Sequence, residues 1–141
     1  MKYARVGQFI ARLDQLRLVR SFLEAFCTES GLPRADCLRL NLVLEELFTN
    51  TVRHGHRGDC DAPIWIGLER AEEGVRVLYE DKAPPFNPYA YTRLPEVAPD
   101  ATLSMRKIGG LGVLLTRELA ASRDYTYLFG RNRIRLTMAA A

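Results

Sequence analysis

Apolar positions along the chain change their period several times, and each change marks an element. Residues 2–10 alternate loosely and suggest an edge strand, weakened by Gly7. From Asp14 the period becomes helical. Leu16, Val19, Leu23 and Phe26 recur at three and four, Asp14 is the expected N-cap, and Gly31-Leu32-Pro33 stops the helix. A second helix starts near Pro33–Asp36 and runs to about His54, where Gly55 ends it. Its apolar face carries Leu40, Val43, Leu44, Leu47 and Val52. Beside that face Glu46, Asn50 and His54 follow one another at intervals of four, so a carboxylate, an amide and an imidazole are expected to form a polar column.

The period then drops to two. Residues 64–70 and 75–81 are rich in β-branched and aromatic side chains and form a hairpin around Glu72-Glu73-Gly74. Asp81 closes its second strand and is followed by Pro84, Pro85 and Pro88, which stiffen a loop. Residues 89–108 have little periodicity, and so long a loop tends to be a lid or a binding segment. Gly109, Gly110 and Gly112 then lead into a helix with Leu111, Leu114, Leu115 and Leu119, and residues 125–129 and 134–138 close the chain as a second hairpin around 130–133. Strands and helices do not alternate strictly as βαβ. The order predicts one domain over residues 1–141, an α/β (α+β) two-layer sandwich with three main helices on one face of a mixed, mainly antiparallel sheet.

Composition adds limits. The hydrophobic fraction of 48% and charged fraction of 26% are ordinary for a globular domain of 141 residues. A net charge of +3 does not call for a nucleic-acid partner. Cys27, Cys37 and Cys60 show no Cys-x-x-Cys spacing and read as reduced thiols. With no charged-then-apolar leader and no apolar run long enough to span a bilayer, a cytoplasmic location is expected.

Several stretches carry candidate chemistry, each beside a plainer reading. The polar column is a solvated helix face on amphipathicity alone. His54-Gly-His-Arg-Gly-Asp-Cys-Asp61 holds metal-ligand types but no recurrent ligand spacing, and its turn formers favour a connecting loop. Asp81 is either a turn initiator or a fixed acceptor facing a pocket. The Gly109-Gly110-x-Gly112 run permits close backbone approach and opens a helix N-terminus suited to an anion, or is a tight turn; Arg106 and Lys107 before it add positive charge at a phosphate, or solvate the loop. Arg131, Arg133 and Arg135 alternate along a strand and more simply line a solvated face than a nucleic-acid stripe.

Taken in order, Glu46-x-x-x-Asn50 on a helix, Asp81 after a strand, and Ile108-Gly-Gly-Leu-Gly112 opening a helix resemble the N, G1 and G2 boxes of the GHKL superfamily, whose ATP site is the Bergerat fold. The texts Glu45-Glu46-Leu-Phe-Thr-Asn50-x-x-x-His54-Gly55 and Asp81-x-Ala-Pro-Pro-Phe-Asn-Pro88 resemble its small RsbW/SpoIIAB branch of anti-sigma factors and serine-protein kinases. The resemblance covers residues 5–138. It implies that Glu46 acts as general base or orients the attacking hydroxyl, that Asn50 ligates Mg²⁺, and that Asp81 accepts the adenine amine. It further implies that Lys107, Gly109, Gly110, Leu111 and Gly112 cradle the ATP phosphates, that 89–108 is the lid, and that Thr137 lies near adenine. The chain departs from the pattern at Ala83, where the family has glycine two positions after the acid, and the backbone there is less free. Glu45 beside Glu46 poses a register question that the four-residue spacing to Asn50 decides for Glu46.

The activity implied is an ATP-dependent serine/threonine protein kinase that phosphorylates a STAS-type anti-sigma factor antagonist and sequesters a sigma factor. The alternative is an ATP-responsive switch without phosphotransfer. A detached histidine-kinase ATP domain ranks lower, because these residues supply no dimerisation helix with a phosphorylatable histidine. The resemblance leaves room for a homodimer and implies neither direct nucleic-acid nor membrane binding.

Overall fold

The structure, a computed structural model, describes residues 3–88 and 120–139. Five strands form one sheet: β1 (Tyr3–Ile10), β2 (Pro63–Ala71), β3 (Gly74–Asp81), β4 (Ala120–Leu128) and β5 (Arg131–Ala139), in the order β1-β2-β3-β5-β4. Every pairing among the described residues is antiparallel, in keeping with the expected mainly antiparallel sheet. β1 and β4 are the edges, as the loose alternation of residues 2–10 suggested for β1. Two helices, α1 (Leu16–Ser30) and α2 (Arg34–Asn50), cover one face. The third helix expected after Gly112 lies outside the described residues.

Side-chain parity fixes which face is covered. Val75, Val77, Tyr79 and Asp81 of β3, with Asn132, Ile134, Leu136 and Met138 of β5, are buried on the helix side. They join Val19, Leu23 and Phe26 of α1 and Leu40, Val43, Leu44, Leu47 and Phe48 of α2 in one core. Burying each such side chain is worth roughly 1.5–3 kcal/mol, and this holds α2, with its polar column, at a fixed height above β3. Two β-strand arginines on the other face, Arg131 and Arg133, both bond Glu80, and Arg131 stacks 3.6 Å above the Trp65 ring. That is the solvated-face role with its charges partly committed.

Three local expectations are corrected. Asp14 does not cap α1. A 3-10 turn (Leu13–Gln15) precedes the helix, and the backbone N–H of Leu13 donates to Asp59 Oδ1 at 2.9 Å. Asp61 bonds Arg12, and Cys60 N–H donates to the Ala11 carbonyl. The loop 54–61 therefore spends both its acids on tying β1 and α1 to the end of α2, the connecting role. Gly31, at φ +67°, ends α1 as a left-handed C-cap, and the short link to α2 brings Cys27 and Cys37 together as a disulfide with a Cα–Cα distance of 6.1 Å. Only Cys60 is a free thiol, so the cysteines no longer speak for a reducing compartment. Last, the closing hairpin turns on two residues, Phe129 and Gly130, with β5 beginning at Arg131 rather than after Arg133. No helix among the described residues is long and apolar enough to cross a membrane.

Candidate functional site

The C-terminal end of α2 is not α-helical. Residues Thr51–Gly55 form a π turn, in which His56 N–H donates to the Thr51 carbonyl, five residues back, at 2.9 Å. The wider winding carries His54 off the line set by Glu46 and Asn50 and leaves it exposed, so the three-member column reduces to two. The same turn buries Thr51 and aims it at β3.

There Thr51 meets the end of the strand. Its hydroxyl donates to Asp81 Oδ2 at 2.8 Å and lies 2.6 Å from the Tyr79 hydroxyl, which in turn reaches the Leu47 carbonyl. Burial pushes the Tyr79 hydroxyl well above its usual pKa, with the Asp81 charge adding to the effect, so it stays a neutral donor. The other carboxylate oxygen, Asp81 Oδ1, accepts from Ala83 N–H at 3.1 Å and from Asn132 Nδ2 at 2.9 Å. An ionised carboxylate offers about four acceptor sites. Three are used among the described residues, and the remaining one is on Oδ2. Asp81 is thus a fixed acceptor with one vacancy, matching one N–H of an exocyclic amine. It is 7% exposed at the end of a central strand, and its bond from Ala83 N–H, two residues on, is also the one a turn-initiating aspartate makes, so both roles are compatible with its place.

Glu46 and Asn50 are one helical turn apart on α2, both half-buried. Neither has a hydrogen bond or ion pair among the described residues. Glu45 is different: it is ion-paired with Arg20 of α1. Of the two acids in the register question, only Glu46 has an unpaired side chain among the described residues. Burial raises the Glu46 pKa, Glu45 raises it further, and Arg53 offsets part of that rise. A carboxylate made more basic and left without a donor is suited to take a proton. The Asn50 amide oxygen is a hard neutral donor of the type Mg²⁺ accepts alongside waters and phosphate oxygens. The residues present fit both a purine nucleotide and its metal.

Ala83, where the family pattern has glycine, lies against Gly55. A Cβ built on Gly55 would stand 2.7 Å from the Ala83 Cβ, closer than carbon atoms pack. The methyl of Ala83 is accommodated because its neighbour across the site lacks one. Thr137 does not join the group. It is on the outer face of β5, between Arg76 of β3 and Ser122 of β4, five residues along the strand from Asn132. Strand parity explains the miss: odd positions of β5 point away from the helices. Lys107, Gly109, Gly110, Leu111 and Gly112, with the lid 89–108, lie outside the described residues. Thr51, Asn132 and Tyr125 were not foreseen. Nothing in their sequence neighbours marked them, and the β3–β5 pairing that brings 81 and 132 together spans 51 residues.

Comparison with known proteins agrees with this geometry. The model of the histidine kinase-like ATPase domain matches residues 9–138. The serine-protein kinase RsbW of Listeria innocua serovar 6a is 27% identical over 115 residues, covering 79% of this chain and 72% of that protein. RsbW of Listeria monocytogenes serotype 4a matches with the same identity and coverage. Among solved structures, the RsbU and RsbW domains of Rv1364c from Mycobacterium tuberculosis superpose with a TM-score of 0.64 at 18% identity, which speaks for the fold. That likeness covers 98% of this chain but only 32% of the solved one. The chain belongs to the histidine kinase-like ATPase domain family.

Proposed function

We propose that residues 1–141 form a single ATP-binding domain acting as a serine/threonine protein kinase, with an anti-sigma factor antagonist as phosphate acceptor and a sigma factor as the protein it sequesters. The observation that carries the chemistry is the contrast on α2: Glu45 is tied to Arg20, while Glu46 is unpaired among the described residues, half-buried and raised in pKa, one turn before Asn50. The names of the Listeria relatives support the acceptor class.

In this reading Asp81 accepts the 6-amino group of adenine, held in place by Thr51, Ala83 N–H and Asn132. Asn50 holds Mg²⁺, which when bound neutralises charge on the phosphates. Glu46 takes the proton of the acceptor serine as it attacks. Lys107, Gly109, Gly110, Leu111 and Gly112 are assigned to the phosphates on the sequence pattern alone. The proposal implies a cytoplasmic site of action.

Incubation with labelled ATP and candidate antagonist proteins tests it. Label should appear on a serine of the antagonist, and Asn50→Ala should weaken nucleotide binding only when Mg²⁺ is present. Normal ATP binding with no transfer to any antagonist would leave an ATP-responsive switch as the function.

A further inference from the structure

Asn132 is the most fully bonded polar side chain of the described site. It is 6% exposed, on the second residue of β5, directly opposite Asp81 in the β3–β5 register. Its amide nitrogen donates to Asp81 Oδ1 at 2.9 Å, to the Ala83 carbonyl at 2.9 Å and to the Pro84 carbonyl at 3.2 Å. Its amide oxygen accepts from Phe86 N–H at 3.1 Å and from the Tyr125 hydroxyl. The orientation of the amide is unambiguous. Phe86 N–H can only donate and the two carbonyls can only accept, so exchanging oxygen and nitrogen would break at least three bonds at once.

These contacts add side-chain ties between three parts of the site: the Asp81 carboxylate, the loop 83–86 after it, and Tyr125 of the edge strand β4. The loop contains two prolines and so donates few hydrogen bonds of its own. Without Asn132, Asp81 would keep one donor on each oxygen, Ala83 N–H on Oδ1 and Thr51 on Oδ2, and Oδ1 would gain an open acceptor site beside the one on Oδ2.

Building on the ATP-site reading above, we infer that Asn132 is a positioning residue that sets base selectivity: by occupying Asp81 Oδ1 it presents a single acceptor, Oδ2, to the purine. A 6-aminopurine supplies the N–H that this oxygen lacks. A 6-oxopurine brings a second acceptor against it and is rejected. Asn132 acts through Asp81 and does not itself contact the nucleotide. A purely structural asparagine would, when removed, lower stability and weaken all nucleotides alike. A positioning one lowers the preference between them.

The test measures ATP and GTP dissociation constants by calorimetry for the parent, Asn132→Ala, Tyr125→Phe and Asp81→Asn, with a circular dichroism spectrum of each. For Asn132→Ala the ATP constant should rise about tenfold, the order expected for freeing one bond to a charged group, while the GTP constant changes by less than about threefold. The ratio between them therefore narrows. Equal weakening of ATP and GTP, or no change in either, overturns the inference and leaves the ATP site intact. If Asn132→Ala does not fold, Tyr125→Phe decides: it removes one of two donors holding the amide, and the same ratio should narrow by about two- to threefold, with an unchanged ratio counting against Asn132. Asp81→Asn separates the two layers. A parent that binds ATP no better than Asp81→Asn would bring down the purine reading and this inference together.

Discussion

The two ends of the site are built on opposite plans. At the strand end, Asp81 is buried and holds three hydrogen bonds, and its partners Thr51 and Asn132 are bonded in turn. On α2 itself Asn50, directly before Thr51, and Glu46, one turn further up, are half-buried and carry no side-chain bond among the described residues. The roles proposed for the two ends account for the difference. A group that recognises a base must be in place beforehand, and satisfied hydrogen bonds in a low-dielectric site fix it there. A group that accepts a proton or a metal must keep its lone pairs free, at some cost in stability. In the proposed reading, base recognition sits beyond the end of α2, on Thr51, Asp81 and Asn132, and proton transfer on α2 itself.

The contrast can be broken at several points. The largest effect is expected at the unbonded end, where Glu46→Gln keeps size and helix but removes the base. Label transfer to an antagonist should fall by roughly 10²–10⁴-fold, measured in a single turnover at saturating ATP. At the bonded end, Asp81→Asn should weaken ATP binding by the worth of a charge-assisted hydrogen bond, roughly 1.5–3 kcal/mol, read by calorimetry. Gly55→Ala should destabilise the fold by roughly 1–3 kcal/mol in urea denaturation, since its new methyl meets the Ala83 methyl, and Ala83→Gly in the same chain should restore most of the loss. Restoration by Ala83→Gly would show that the alanine is tolerated through its neighbour.

Smaller effects sharpen the picture around Glu46. Its folded pKa is raised, so between the ordinary carboxylate value and that raised value the folded state binds more protons than the unfolded one. Stability contributed at low pH is therefore lost as pH rises through this window. Glu46→Gln should melt slightly higher than the parent at neutral pH, and the gain should vanish below about pH 4, where both states of the parent are protonated. Glu45→Ala should do least. Its pair with Arg20 is partly exposed, worth less than about 1 kcal/mol, and transfer should stay near the parental rate.

Much of this was legible in the sequence, for local reasons. Helical period placed Glu46 and Asn50 on one line, β-period placed Asp81 at a strand end, and the order of the three boxes gave the family. What stayed hidden depends on contacts between distant segments. The Asp59 that takes the Leu13 amide comes from 46 residues away, and Asn132, placed in a turn by its flanking glycine and arginines, is a strand residue aimed at Asp81. The disulfide depends on how α1 and α2 cross, which no spacing of cysteines states. The π turn was missed because a helical pattern ending in Gly55 reads the same with four-residue or five-residue bonds, yet it decides that Thr51 and not His54 serves the site. Thr137 failed on parity alone.

The division between the two ends is tested most directly by a double-mutant cycle over Glu46→Gln and Asp81→Asn, with ATP affinity and single-turnover transfer measured on all four proteins. Asp81→Asn should change the ATP dissociation constant and leave the rate at saturating ATP near the parental value. Glu46→Gln should do the reverse, and the double variant should show both losses, independent within about 0.5 kcal/mol. Glu46→Gln weakening ATP as much as Asp81→Asn does, or transferring phosphate at the parental rate, would contradict the separation of binding from chemistry.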